Sequence, residues 1–74
     1  MDRKNLEIYI SAISEILLND ALEIKKLSEK DTSEFYEGKR LAYYEVLTTI
    51  KNQAKIYDIH IKELEKFNLD RNIA

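Results

Sequence analysis

An all-α fold is predicted, and three observations predict it. Zero Pro and one Gly in 74 residues withhold the punctuation that strands and tight turns need. Leu, Ile, Glu and Lys dominate the chain, and apolar residues recur at three-and-four spacing through two long stretches. The expected architecture is a two-helix antiparallel hairpin that dimerises into a four-helix bundle. The alternative is one long continuous helix in a coiled coil.

The first helix is predicted over residues 3 to 28. Leu6, Ile10, Ile13, Leu17, Ile24 and Leu27 form one seam, and Tyr9, Ile16 and Ala21 widen it. Asp20 is the polar exception. An unpaired buried carboxylate is costly, so Asp20 belongs at the seam edge or opposite a donor.

Residues 29–32 form the predicted turn, inside a stretch from Ser28 to Glu34 that has no apolar side chain. Asp31, Thr32 and Ser33 are all good N-cap types, and Asp31 with Glu34 has capping-box spacing. Lys25, Lys26 and Lys30 suit the negative end of the first helix, and Asp31, Glu34 and Glu37 the positive end of the second. A short connection makes the two helices antiparallel neighbours.

The second helix is predicted over residues 33 to 67, followed by a short tail, 68–74. Its stripe runs from Phe35 through Ala42, Tyr43, Val46, Ile50, Ala54, Tyr57, Ile61 and Leu64 to Phe67. Thr48, Thr49 and Asn52 are weaker helix formers, but the phase carries across them. The eleven-residue spacing of Ile13, Ile24, Phe35, Val46 and Tyr57 is what a single continuous rod would also keep.

Folded this way, the second helix overhangs the first. Ile61, Leu64 and Phe67 then face inward with nothing opposite unless the tail folds back, and burying each is worth about 1.5–3 kcal/mol. Ile8, Leu18 and Leu22 fall about 120–200° from the centre of the first seam, so they cannot share its partner. Leu41, Ile56 and Ile59 are likewise displaced to one flank of the second. A chain this short, with no Cys to staple it, has little stability to spare. The surplus apolar surface predicts association, with a second copy or with another protein.

The remaining motifs are weak. Gly38-Lys39-Arg40 lacks the earlier Gly, the Ser or Thr and the preceding strand of a phosphate-binding loop. Gly38 admits a close backbone approach or a loose first turn. Tyr44 lies opposite the seam beside Arg40, the composition of a binding hot spot. Arg40, Lys51, Lys55, Lys62 and Lys66 line the outer face, interleaved with Glu37, Asp58 and Glu65, as on a solvated helix. His60 reads as a polar residue at the seam margin that helps fix register. One His and no Cys supply neither a catalytic Ser/His/Asp or Cys/His set nor a His/Cys metal cluster, and Glu-x-x-His does not occur.

No enzyme activity, cofactor or metal is therefore expected. A net charge of −2 weakens the case for nucleic acid or an anionic membrane. Glu7 and Glu15 interrupt any leader-like apolar stretch, and the expected location is the cytoplasm. The expected function is a self-associating interaction module, a regulator or inhibitor of a bacterial or phage protein. Its candidate interface residues are Ile8, Leu18, Leu22, Arg40, Tyr44, Ile61, Leu64 and Phe67. The alternative is an RNA- or DNA-binding hairpin dimer using Arg40, Lys51, Lys55 and Lys62.

Overall fold

In the computed structural model, which describes residues 2–74, the Asp2 carboxylate accepts a hydrogen bond from the Asn5 N–H at 2.8 Å and starts α1, Arg3–Lys30. The chain reverses over 31–33, where the Asp31 carboxylate accepts from the Ser33 N–H at 3.0 Å. Ser33 is the N-cap of α2, Glu34–Ile56, although its hydroxyl makes no capping bond. Glu34 and Glu37 lie in the first turn of α2, as the dipole argument requires. The two helices pack on each other as a hairpin, which excludes the continuous rod. Among the described residues there is no strand.

The second helix is shorter than expected. It stops at Ile56, eleven residues before Phe67, in a C-terminal motif built without glycine. Asp58 takes the left-handed conformation (φ 55°), its N–H reaches the Lys55 carbonyl, and the Ile59 N–H reaches back to the Ala54 carbonyl at 2.8 Å. These are the two bonds of a Schellman motif, with Asp in the place Gly usually holds. The physical reason lies in residues 56–61. Ile56, Tyr57, Asp58, Ile59, His60 and Ile61 are all weak helix formers, and ending the helix there lets the following side chains be buried.

The remaining residues fold back along the hairpin as α3, Lys62–Glu65, and α4, Leu69–Asn72. Asn68 caps α4 by accepting from the Arg71 N–H at 2.9 Å. α3 touches both long helices and α4 lies on α2. The predicted overhang is thus replaced by a third layer, in which the short tail folds back. Ile61 and Leu64 keep 2% and 1% of their surface exposed, and they share one core with Leu18, Ala21, Leu47, Leu69 and Ile73. Phe67 is half-buried against it.

This third layer also changes which side of α1 is inside. The predicted seam is only partly inward: Ala21 and Ile24 are buried, Ile10, Ile13 and Leu17 are half-buried, and Leu6, Tyr9, Ile16 and Leu27 are exposed. The deepest positions are small, Ser14, Ala21 and Ser28, seven residues apart. Small side chains leave room for close packing, and Ala21 shares its core with Leu47, which keeps no surface exposed. Gly38 has no such role, since a methyl group built on it would meet no atom within 4 Å.

Candidate functional site

The hairpin has two faces, and the folded-back segment covers one of them. On that face the polar contacts form a latch. Arg40 donates to the Ile73 carbonyl at 2.8 Å and to the Glu37 carboxylate at 2.9 Å, and Lys25 donates to the Ala74 carbonyl at 3.3 Å. The Tyr44 hydroxyl donates to the Asp70 carboxylate. That hydrogen bond, with burial and the Asp70 charge behind it, raises Tyr44 above the usual phenol pKa, offset in part by Thr48. At the other end of α1, Arg3 donates to the Asp58 carbonyl at 2.7 Å and fixes the loop after α2.

The candidate interface residues therefore separate. Leu18, Leu22, Ile61, Leu64 and Phe67 pack in or against the internal core, and Arg40 and Tyr44 hold the latch. The reason is shared: the off-seam flank of α1 and the surplus stripe beyond α2 each lacked a partner, and they found one another. Ile8 alone of the eight remains mostly exposed. It borders a cavity of about 380 Å³ with Lys4, Glu7, His60 and Lys62.

The basic residues differ in what they meet. Arg40 is turned to its own chain, Lys51 and Lys55 border a shallow cavity beside Leu64 and Glu65, and Lys62 borders the cavity near Ile8. His60 is exposed in the loop rather than at a seam margin, with its Nδ1 3.1 Å from Glu65 Oε1 and its Nε2 3.6 Å from Asp58 Oδ1. Among the described residues, no three His, Asp or Glu side chains come together in a way that could hold a metal ion. Among the described residues, no helix is long and apolar enough to cross a membrane.

The opposite face is where apolar surface stays open. A groove runs between α1 and α2, lined at one end by Ile10, Ile50, Ala54, Tyr57 and Ile59, where its volume is about 240 Å³. Further along, Leu17, Ala42, Tyr43 and Val46 line a second hollow of similar volume, about 240 Å³. By angular position Leu6, Tyr9 and Ile16 of α1 and Phe35 and Val46 of α2 lie on this side, with Tyr57 just past the end of α2, and all six are exposed. Angular position explains the set. At 100° per residue Tyr9, Ile16 and Leu27 project within about 20° of one another, roughly a half-turn from Leu18.

The large apolar residues place this surface inside. The heptad of Ser14, Ala21 and Ser28, of which the seam held only Ala21, was the available signal for the buried side of α1. No family model matches the chain, and no curated protein and no solved structure matches it.

Proposed function

We propose that the chain is a non-enzymatic, self-associating helical module, in which a second copy covers the open face of the hairpin. On this reading it acts in the cytoplasm as a regulator of another protein, with the assembled bundle as the form that binds. The observation that carries self-association is the asymmetry of burial. One face of the hairpin is closed by the chain itself, while Tyr9, Ile16, Phe35, Val46 and Tyr57 stay exposed on the other, where Tyr57 and Val46 each line an apolar hollow.

Two measures of shape support it. A compact monomer of 8.8 kDa is expected to expose about 4,800 Å², whereas the isolated chain exposes 5446 Å². The excess, roughly 650 Å², approaches the area of about 800 Å² that each partner contributes to a standard interface. Its radius of gyration is 13.2 Å against the roughly 11 Å expected of a compact chain of this length. The long dimension, 43 Å, is the length of α1 alone, so nothing broadens the hairpin enough to bring these values down.

Solution molar mass across a dilution series, with helicity followed alongside, tests the reading. The expected result is twice 8.8 kDa at high concentration, with mass and helicity falling together on dilution. A constant 8.8 kDa with full helicity throughout would overturn it.

A further inference from the structure

Resting on the self-association proposed above, we infer that the second copy lies antiparallel, its turn over the open end of the first, about a two-fold axis that crosses α2 at Val46 and α1 near Ile16 and Leu17. The first argument is spacing. Phe35, Val46 and Tyr57 are eleven residues apart, three turns plus about 20°, so they project from one line of α2. All three are exposed, at 66%, 48% and 67%.

A two-fold axis through the middle member exchanges the outer two. Phe35 then meets Tyr57 of the copy at both ends, Val46 meets Val46, and two aromatic pairs close the interface. The other helix agrees independently. Leu17 and Val46 line the same hollow, so they share a level along the hairpin. Inverting α1 about that level sets Leu27 opposite Leu6 of the copy and Ile16 beside its counterpart, and all three are exposed in the single chain.

Charge selects against the arrangement with both turns at one end. The turn half, residues 17–45, holds seven carboxylates and five cations, while the rest of the chain holds seven of each. Stacking turn on turn brings two negative halves together, whereas the antiparallel arrangement lays each on a neutral half. Every nearest-neighbour helix pair in the resulting bundle is also antiparallel, which sets opposite dipole ends side by side.

Engineered cysteines test the geometry, because the chain has none of its own. V46C is expected to oxidise to a covalent dimer with loss of its free thiol. F35C mixed with Y57C is expected to cross-link, while F35C alone stays reducible-band free, since two such positions lie about 33 Å apart and a disulfide spans under about 7 Å between Cα atoms. Each variant is first checked in reducing buffer for wild-type helicity and mass. A dimer in which F35C links to F35C, or V46C links to I16C and not to itself, would overturn the antiparallel geometry and leave self-association standing. Variants that remain 8.8 kDa in reducing buffer, like the parent chain, would instead remove self-association itself.

Discussion

Val46 and Leu47 are neighbours on α2, similar in size and chemistry, yet Val46 keeps 48% of its surface exposed and Leu47 none. The difference belongs to the two faces of the hairpin rather than to the residues. Leu47 looks toward the side where Ile61, Leu64, Leu69 and Ile73 return from the end of α2, and Val46 lines a hollow with Leu17, Ala42 and Tyr43 that no residue after α2 borders. Apolar pattern alone says that both sides need a cover. One cover is carried in the same chain, and the other is assigned above to a second copy.

The comparison breaks most sharply at that pair. Leu47→Ala removes side-chain volume from a filled core and is expected to cost about 2–5 kcal/mol at every protein concentration. Val46→Ala is expected to cost under about 0.5 kcal/mol in the isolated chain, as surface substitutions do, and more where the dimer is populated. Chemical denaturation of both variants at two protein concentrations checks this. Equal losses for the two would show that the faces do not differ.

Smaller effects sharpen the covered side. Ser14 is fully buried and its hydroxyl has no hydrogen-bond partner. Ser14→Ala removes that unpaired group and favours the helix, so a gain of about 1 kcal/mol is expected in thermal or chemical melts. Gly38→Ala is expected to add about 0.5–1 kcal/mol, because the added methyl group meets open space and the backbone loses freedom in the unfolded chain. A melting temperature lowered by that change would point to a backbone contact at Gly38 within the assembly.

The latch has a pH signature. The Tyr44 pKa is raised in the folded chain, so its contribution is fully present below the unfolded phenol value and is lost as pH rises through the folded one. Alkaline titration above about pH 10 is therefore expected to loosen α4 before the hairpin melts. Hydrogen exchange at the Asn72 and Ile73 amides, which donate to the Asn68 and Leu69 carbonyls, would report it, and Tyr44→Phe, which has no ionisable hydroxyl, would lack that step. An unchanged step in Tyr44→Phe would assign it to another group.

Much of the fold could be read from the residues. The absence of Pro, the three-and-four spacing and the cap-rich stretch before Glu34 located both long helices and the turn, because each is a local property of consecutive residues. The end of α2 was hidden for a physical reason. Tyr57, Ile61, Leu64 and Phe67 keep helical phase across a break made by hydrogen bonds around Asp58, a residue type that takes the left-handed conformation less often than Gly. The cluster of weak helix formers at 56–61 was the visible trace of it.

The interface was less legible. The surplus apolar surface was read as predicting association, but Leu18, Leu22, Ile61 and Leu64 satisfy one another within the chain. A periodic stripe states that a face must be covered, and it does not state by what. Long-range return of the chain decides that, and it moved the open surface to Tyr9, Ile16, Phe35, Val46 and Tyr57.

Light scattering on the parent chain beside Val46→Asp, at one protein concentration, asks most directly whether the open face is closed by another copy. A charge at the proposed two-fold axis faces its own image and loses water, which disfavours association while leaving the covered core untouched. The account predicts twice 8.8 kDa for the parent and 8.8 kDa for Val46→Asp at equal helicity. The same mass for both proteins, single or double, would contradict it.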